Sequence, residues 1–465
     1  MKRGKSIGAN LDWVLFTVFV IMLVMGVANV YSVSFKEEHP NILDFSQKYG
    51  KQILWIGVSF FLGVLIFLID SDIYRKFAIP IYLFCISLLV LVLFMPPVNG
   101  ARAWLGVGSL GIQPAEFAKV GTAIALASYI NSLNVNQQSV KTVLLANLIL
   151  LFPMILILMQ PDAGSFVVFT AFLFVMYREG LTYDPIILKL INTIPGVRFK
   201  NTWVGSHFIP ILFVVVFLSL ITLLTAENEI TFDAFPGVEI PGFYGVILSL
   251  LIISIIGYFI LRVFSAKRDR NKVTVIVLIA FILSAGISTT VHMGFESLAI
   301  HQKERIELFL GLREDPNGDD YNRNRAMAAV GSGGLSGKGY KKASLSSAEA
   351  NHVPESETDF IFCPLAEEWG FFGSITVVIL FMIMLTRIVI IAERQRSRFI
   401  RVYAYSVAMI LFYHFAINLG MDIGLAPVIG IPLPFFSYGG SSMMSFCVMM
   451  FILLKLDSQR ADVLT

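Results

Sequence analysis

The stretch at residues 11–31, LDWVLFTVFVIMLVMGVANVY, decides the class of this protein. It contains one charged residue, Asp12, and is otherwise built almost wholly from apolar side chains. A helix of about 20 mostly apolar residues is long enough to cross the hydrocarbon core of a bilayer. No small-residue cleavage site follows the run, so we predict a retained membrane span and not a removed signal peptide.

The overall composition agrees with this interpretation. The chain has 465 residues, of which 56% are hydrophobic and 14% are charged, whereas soluble domains are roughly half apolar and about a quarter charged. The formal net charge of +3 is too small to indicate a nucleic-acid partner. The cysteines Cys85, Cys363 and Cys447 are too far apart in sequence for metal-ligand spacing. We predict no metal site, although a divalent cation stays open as a cofactor.

Further apolar stretches predict an all-α, polytopic membrane helix bundle of about twelve spans. The spans after the first are predicted at residues 53–69, 77–95, 114–131, 143–159, 165–177, 208–225, 243–264, 273–291, 360–386, 402–419 and 437–456. The fifth and sixth spans are short and meet at residues 160–164, QPDAG. We therefore predict a hairpin that turns within the membrane or at its surface.

The placement of Lys and Arg predicts the orientation, since these residues concentrate in cytoplasmic loops. Most of them fall on the side that contains the N-terminus, whereas the short loops on the other side contain only Lys36, Lys48, Lys51 and Arg102. We therefore predict that both termini are cytoplasmic. We divide the chain into a membrane core at 1–180 with spans one to six, an inserted region at 181–272 with two extra spans, and a membrane core at 273–465 that carries a large outer loop at 292–358.

The outer loop is predicted to contain amphipathic helices. Ile306, Phe309 and Leu310 fall on one helical face near its start, a pattern typical of a helix that lies on a lipid surface. A second helix is predicted at 321–330, followed by the glycine-rich run GSGGLSGKG at 331–339, whose spacing does not fit a phosphate-binding P-loop. We expect this run to be a mobile hinge; contact of Lys338 or of its amides with a lipid pyrophosphate is the alternative.

Asp359 lies where the outer loop returns to the membrane, directly before Phe360, Ile361 and Phe362. The apolar neighbours would partly shield its carboxylate from water, and partial desolvation makes a carboxylate a better proton acceptor near neutral pH. The alternative is a carboxylate at the start of a helix that only favours the helix dipole.

Glu116 and Lys119 are charged residues inside the fourth predicted span. Their i, i+3 spacing places both on one helical face. Charges within lipid are costly, so we expect the two side chains to pair with each other and to face a cavity or the bundle interior. A structural ion pair and a site for a polar headgroup are both open. The same two interpretations apply to Asp162 on the short hairpin.

Residues near the predicted outer boundary give further candidates. Arg102 and Trp104 lie just outside a span, where they fit either interfacial anchors or a phosphate clamp and a sugar platform. The stretch GIPLPFFSYGGSS at 430–442 interrupts helix with prolines and glycines, and irregular backbone at membrane depth must line a cavity or be buried in protein. His414, inside a span, is expected to be a satisfied bundle residue.

Taken in order along the chain, these motifs resemble the family of shape, elongation, division and sporulation proteins. The resemblance covers nearly the whole chain and rests on the stretches at 99–104, 113–119, 160–164, 331–339, 358–362 with Glu367 and Glu368, 418–421 and 432–442. The sequence GIPLP at 430–434 is more similar to elongation-type than to division-type members. The resemblance implies about ten core spans, to which residues 181–272 would add two.

The family assembles glycan strands from lipid II, so the resemblance implies a peptidoglycan glycosyltransferase in the bacterial cytoplasmic (inner) membrane. Asp359 would be the general base of an inverting reaction in which undecaprenyl pyrophosphate leaves. The resemblance also implies substrate-binding roles for Glu116, Lys119, Arg102, Trp104, Gln113, Asp162, Lys338 and Ser437. The implied partners are lipid II, the lipid-linked glycan strand, a class B penicillin-binding protein that crosslinks the strands, and elongation-complex membrane proteins.

Other functions compete with this one. A transporter could flip lipid II across the membrane, but its site should lie near the midplane. Asp359 is predicted at the outer edge, which favours an enzyme that acts on substrate already outside. A division-type relative and a noncatalytic scaffold that recruits the crosslinking enzyme are the remaining alternatives.

Overall fold

The protein is nearly all helical in its computed structural model. The structure describes residues 10–39, 41–97, 101–106, 111–133, 138–193, 199–225, 230–231, 239–240, 242–267, 270–297, 303, 319–347 and 352–460. The helices within these ranges are α1 (Trp13–Val33), α2 (Lys48–Leu68), α3 (Ser71–Lys76), α4 (Ala78–Val92), α5 (Pro114–Ser132), α6 (Val140–Leu158), α7 (Ala163–Phe169), α8 (Ala171–Arg178), α9 (Asp184–Ile191), α10 (Trp203–Ser206), α11 (Phe208–Thr225), α12 (Gly242–Phe264), α13 (Arg270–Ser297), α14 (Asp319–Ser332), α15 (Phe362–Arg394), α16 (Arg398–Asp422) and α17 (Gly440–Ser458). Two short antiparallel strands, β1 (Ile230–Thr231) and β2 (Glu239–Ile240), lie between α11 and α12.

Eleven of the predicted spans each coincide with one helix, the sixth coincides with the two short helices α7 and α8, and the predicted fold class is confirmed. Eight helices in the described part of the chain are long and apolar enough to cross a membrane, namely α1, α2, α6, α12, α13, α15, α16 and α17. Shorter apolar helices occur at α4, at α7 with α8, and at α11. The chain is therefore a multi-pass membrane protein, while the count of twelve crossings stays a prediction.

The chain forms two compact units. The first is built from residues within Met1–Leu133, Leu145–Glu179 and Asp315–Thr465, and the second from residues within Asn134–Leu144 and Gly180–Glu314. In the first unit, α16 and α17 form the centre, because 67% and 89% of their most apolar windows are buried, against 22% for α2. The central position of α16 and α17 explains why polar side chains are tolerated on them.

The second unit has its own small apolar core. Ile187 and Ile191 of α9 pack with Ile279 of α13. Asp184 begins α9, and its carboxylate accepts hydrogen bonds from the Thr202 amide at 2.9 Å and the Thr202 hydroxyl at 2.6 Å. These bonds hold the start of α10 against α9.

A buried ionic network joins α1, α15 and α17 in the first unit. Asp12, which caps α1, accepts hydrogen bonds from Arg387 Nε at 3.0 Å and Arg394 Nη2 at 2.8 Å. Arg394 Nε also donates to Asp457 Oδ1 at 3.1 Å. Because each buried charge has an opposite partner, the network offsets the cost of removing these groups from water.

Helix α14 confirms the predicted second loop helix at 321–330. Its residues Ala326 and Ala329 form a buried cluster with Val353, Phe360 and Cys363. The cluster therefore packs α14 against the turn that contains Asp359. The predicted amphipathic helix at 303–310 lies outside the described residues, except for Lys303.

Helix α15 is broken at Gly370, whose φ is 63° and whose ψ is −159°. The glycine-rich run lies against this break and hydrogen-bonds to backbone on both sides of it. The bonds run from Lys338 N to Glu367 O at 3.0 Å, Gly339 N to Glu368 O at 2.9 Å, Phe371 N to Gly334 O at 2.9 Å and Phe372 N to Leu335 O at 3.3 Å. The run thus supplies hydrogen bonds that the broken helix cannot make within itself.

The expectation of a mobile hinge at 331–339 is therefore wrong. Gly334, Gly337 and Gly339 adopt φ values of 56°, 76° and 100°, a region that glycine enters at little cost. A Cβ atom at Gly337 would lie 2.1 Å from the carbonyl oxygen of Glu368. The glycines are needed for left-handed backbone and close approach, and sequence composition alone does not distinguish this need from mobility.

Candidate active site

Asp359 lies in a tight turn just before α15. The amides of Thr358, Asp359 and Phe360 all donate to the carbonyl oxygen of Glu355, at 3.0, 3.1 and 3.2 Å. The N-cap residue of α15 is Ile361, two residues after Asp359, and its apolar side chain makes no capping hydrogen bond. The Asp359 side chain is partly buried.

The broken segment at 430–439, which precedes α17, lies beside this turn. Gly430 has a φ of 68°, and a Cβ atom on it would stand 3.1 Å from Asp359 Oδ2. Because glycine has no Cβ atom, residue 430 leaves room for the Asp359 carboxylate beside it. Tyr438 N donates to the carbonyl oxygen of Glu357 at 2.8 Å, which adds a second link between the segment and the turn.

Asn418 joins the two elements from within α16. Its fully buried side-chain amide donates to the carbonyl oxygen of Asp359 at 2.6 Å and to that of Ile431 at 2.8 Å. The same NH2 group thus fixes the backbone of Asp359 relative to the broken segment.

Ser437 shapes the broken segment itself. Its hydroxyl accepts a hydrogen bond from the amide of Leu433 at 2.8 Å, and its carbonyl oxygen accepts one from Gln52 Nε2 at 3.1 Å. The side chain is 3% exposed. These contacts supply hydrogen bonds to backbone groups of the irregular segment within the bundle.

Glu116 and Lys119 form the predicted ion pair. Lys119 Nζ lies 2.8 Å from Glu116 Oε1, and both side chains are buried. Glu116 Oε2 is buried without a hydrogen-bond partner among the described residues. The pairing is confirmed, and the role of the two residues in substrate binding stays a prediction.

His414 links this ion pair to the broken segment. Its Nε2 lies 2.7 Å from Lys119 Nζ, and its Nδ1 lies 3.1 Å from the carbonyl oxygen of Pro432. The expectation that His414 is a satisfied bundle residue is confirmed.

Asp162 and Gln113 meet at the hairpin between α6 and α7, which turns where predicted. Gln113 Nε2 donates to Asp162 Oδ2 at 2.9 Å, and Asp162 Oδ1 caps α7 by accepting from the Ser165 amide at 2.9 Å. A Cβ on Gly164 would lie 2.8 Å from the carbonyl oxygen of Ile429 and 3.3 Å from that of Gly430. The hairpin therefore lies directly against the broken segment.

Lys338 forms a salt bridge with Glu367 of α15. Lys338 Nζ lies 2.6 Å from Glu367 Oε1. The fully buried Glu367 carboxylate also accepts from the amides of Ser344, Leu345 and Ser346 at 2.8, 3.0 and 2.9 Å. Lys338 therefore neutralises the carboxylate that organises the loop after the glycine-rich run.

The same loop is anchored to α1 through Tyr340 and Lys341. Burial raises the pKa of Tyr340 to about 12, so its hydroxyl keeps the proton that it donates to the carbonyl oxygen of Ala28 at 2.9 Å. The Lys341 ammonium lies 3.8 Å from the ring centroid of Phe35 and 4.3 Å from that of Tyr31. These cation–π contacts hold the loop close to α1.

Arg102 and Trp104 lie on the separate segment between α4 and α5. Arg102 Nη1 donates to the carbonyl oxygen of Leu93 at 3.3 Å, and its side chain is exposed. Trp104 is 39% exposed. Both side chains are accessible, unlike Lys119, which is fully buried.

Sequence reasoning missed the roles of Asn418, His414 and Gly430 in the site. Asn418 and His414 are one helical turn apart on α16, so a polar i, i+4 pair within an apolar span was the available signal. No group of three or more His, Cys, Asp or Glu side chains that could hold a metal ion is present within the described ranges.

The fold and the site define a multi-pass helical membrane protein with a partly buried carboxylate held against a broken helix segment. Comparison with known proteins gives the family. The chain belongs to the FtsW, RodA and SpoVE family, described as cell cycle protein, whose sequence model matches residues 12–202 and 249–462. Residues 203–248 fall between the two matched segments.

Individual relatives agree with this assignment. The chain is 29% identical to the peptidoglycan glycosyltransferase RodA of Treponema pallidum (strain Nichols), over 98% of this chain and 99% of that protein. It is 26% identical to the peptidoglycan glycosyltransferase MrdB of Escherichia coli (strain K12), over 97% of this chain and 94% of that protein.

Solved structures share the fold. One, described as a peptidoglycan synthase complex that coordinates polymerization and crosslinking, matches with a TM-score of 0.63 and 23% identity, over 97% of this chain and 98% of that chain. The rod shape determining protein RodA of Thermus thermophilus matches with a TM-score of 0.55 and 21% identity, over 97% of each chain.

Proposed function

We propose that this protein is a peptidoglycan glycosyltransferase that polymerises lipid II during cell elongation, with Asp359 as its general base. It would act in the bacterial cytoplasmic membrane, with both termini inside and Asp359 at the outer surface. The observation that carries the proposal is the Asp359 carboxylate, which is partly buried and lies beside Gly430, where a Cβ atom would stand 3.1 Å from Oδ2. Partial burial strengthens a carboxylate as a proton acceptor.

The proposed reaction joins two lipid-linked sugars. Asp359 takes the proton from the 4-hydroxyl of the acceptor GlcNAc, and that oxygen attacks the anomeric carbon of the lipid-linked donor strand. The bond from the anomeric carbon to the pyrophosphate oxygen breaks, and undecaprenyl pyrophosphate leaves with the electron pair. Attack from the opposite face inverts the linkage from α to β.

The charged residues divide into two groups in this mechanism. Arg102 is exposed and has one long hydrogen bond to the backbone, so it is best suited to contact the departing pyrophosphate. Lys338 is 29% exposed and already paired with Glu367, and Lys119 is fully buried. We therefore assign Lys119 and Lys338 to shaping the site, and Trp104 to supporting a sugar ring.

Gln113, Asp162, Glu116 and Ser437 complete the proposed binding region. Gln113 and Asp162 hydrogen-bond each other beside the broken segment, and Ser437 sets the course of that segment. Glu116 is buried and paired with Lys119, so we assign it, like Lys119, to shaping the site. These contacts support a polar region beside the segment at 430–439.

A class B penicillin-binding protein is the proposed partner. The similar solved structure is of a complex that coordinates polymerization and crosslinking, and a crosslinking partner would act on the strands made here. Other elongation-complex membrane proteins are included in the proposal.

The test is polymer formation by the purified protein, together with its penicillin-binding partner, from lipid II. Replacing Asp359 by Ala or Asn should slow polymerisation by about 100-fold or more, because the general base is lost. Asp72→Asn is the control, since Asp72 is exposed on α3 and away from the site. Equal rates for parent and Asp359 variants would remove Asp359 as the base. Transfer of lipid II across vesicles without polymer formation would favour a transporter.

A further inference from the structure

His414 uses both nitrogens of its ring within the bundle. The side chain is 2% exposed, with Lys119 at 2.7 Å from Nε2 and the Pro432 carbonyl oxygen at 3.1 Å from Nδ1. The ring also contacts Phe446 edge-on, with 4.8 Å between centroids. The Phe446 contact restricts rotation of the imidazole, so the two polar contacts are held together.

The neighbours of His414 determine which nitrogen carries hydrogen. An ammonium group can only donate, so Nε2 must accept from Lys119 and is unprotonated. A carbonyl oxygen can only accept, so Nδ1 must carry the hydrogen that points to Pro432. Lys119 Nζ also donates to Glu116 Oε1 at 2.8 Å. The imidazole is thus neutral, and its orientation depends on the ion pair.

Pro432 belongs to the part of the broken segment that lies against Asp359. Asn418, one turn after His414 on α16, donates to the carbonyl oxygens of Ile431 and Asp359. A Cβ atom on Gly430 would stand 3.1 Å from Asp359 Oδ2, so the Asp359 carboxylate lies close to this residue. His414 therefore holds the residue that follows Ile431, while Asn418 holds Ile431 itself.

We infer that His414 is a positioning residue that couples the Glu116–Lys119 ion pair to residues 430–432 and so fixes the Asp359 carboxylate for catalysis. This inference rests on the proposed function. It gives the buried Glu116–Lys119 pair a role in the site. Lys119 orients the imidazole, and the imidazole holds the carbonyl oxygen of Pro432. Residues 430–432 then keep the Asp359 carboxylate in position.

A residue that only filled space would behave differently. Leucine at position 414 would preserve apolar packing against Phe446 but would leave the Pro432 carbonyl oxygen and Lys119 without their partner. Glutamine carries a donor and an acceptor on one planar group, as imidazole does. The two substitutions therefore separate packing from hydrogen bonding.

The experiment compares His414→Leu, His414→Gln and the control Tyr403→Phe in the full-length protein. Tyr403 is also fully buried on α16, and its hydroxyl donates to the Met449 carbonyl oxygen of α17 at 3.2 Å, without contact to residues 430–432. Polymerisation of lipid II and hydrogen exchange of the amides at 429–438 are measured on each protein.

We expect His414→Leu to lower the turnover rate by about tenfold or more while the apparent KM changes little. Exchange at 429–438 should become faster in the same variant, while His414→Gln and Tyr403→Phe stay close to the parent in both measurements. Parent-like turnover and exchange in His414→Leu would overturn the inference. An equal loss in His414→Gln or in Tyr403→Phe would also overturn it.

The exchange measurement separates this inference from the proposed function. If the parent makes no polymer, the proposed function fails, and exchange alone decides the role of His414. Faster exchange in His414→Leu but not in His414→Gln would then support positioning, and unchanged exchange in His414→Leu would refute it.

Discussion

The side-chain amide of Asn418 is hydrogen-bonded to the backbone of Asp359, with 2.6 Å between Nδ2 and the carbonyl oxygen. The two residues are 59 positions apart in the chain, and the same amide also holds Ile431. The position of the proposed base thus depends on a neutral, fully buried side chain in the penultimate helix.

Replacing Asn418 by Ala should therefore impair catalysis more than folding. The free energy of unfolding should fall by about 1–3 kcal/mol, because two buried carbonyl groups lose their donor. Displacement of Asp359 should lower the polymerisation rate by about 100-fold. Rates and thermal unfolding of the purified variant measure the two effects.

Asn29→Ala is the matched control for that prediction. Asn29 is also buried and donates to the Ile361 carbonyl oxygen at 2.9 Å, two residues after Asp359, but the structure gives it no bond to the broken segment. A similar loss of stability with a much smaller loss of rate is expected. Equal loss of rate in both variants would contradict a specific role for Asn418.

Gly430→Ala should reduce activity by crowding the Asp359 carboxylate. The new Cβ would lie 3.1 Å from Asp359 Oδ2, and a positive φ costs a non-glycine residue about 1–2 kcal/mol. We expect slower polymerisation with a modest loss of stability. Gly334→Ala is the control, because Gly334 has a φ of 56° and no atom within 4 Å of the added Cβ. Loss of rate in the control would show that backbone strain alone is sufficient.

Reversing the charges of Glu116 and Lys119 should separate stability from activity. Each single reversal buries two like charges and should destabilise the protein by about 3–5 kcal/mol. The double reversal restores an opposite pair, so its thermal unfolding midpoint should recover in part. Polymerisation should not recover, because a carboxylate at position 119 would face His414 Nε2 and favour hydrogen on that nitrogen. A double variant no more stable than the worse single one would refute the pairing argument.

Glu367→Gln should loosen the loop that follows the glycine-rich run. The change removes the charge that Lys338 and three amides share, and charged hydrogen bonds contribute about 1.5–3 kcal/mol. Trypsin should cleave faster after Lys338, Lys341 and Lys342, and this can be followed by mass spectrometry. Glu393→Gln, at an exposed carboxylate on the same helix, should leave cleavage unchanged. Parent-like cleavage in Glu367→Gln would show that the carboxylate does not hold the loop.

The helices could be predicted from the sequence because the bilayer imposes a simple rule. Apolar runs of sufficient length must satisfy their own backbone groups, so each predicted span is helical. The pairing of Glu116 with Lys119 was also predictable, because both lie on one helix and buried charges require partners.

Features that depend on contacts between distant segments were not predictable. Asn418 and Asp359 come into contact only when α16 packs against the turn before α15. No local sequence pattern predicts that contact. The glycine-rich run at 331–339 was misinterpreted for the same reason, since its partners lie in α15. A glycine-rich sequence is compatible with a mobile backbone and also with a backbone that packs closely against another segment, and the sequence alone does not distinguish the two.

The break at Gly370 has a consequence for chimeric proteins built from relatives of this chain. Residues 333–339 and the two sides of the break satisfy each other's backbone groups, so neither segment is complete alone. A transplant of α15 without that run would expose carbonyl and amide groups where water is scarce. Helix and loop therefore form one exchangeable module, and the junctions of a chimera should lie before Gly333 and after Arg394, the last residue of α15.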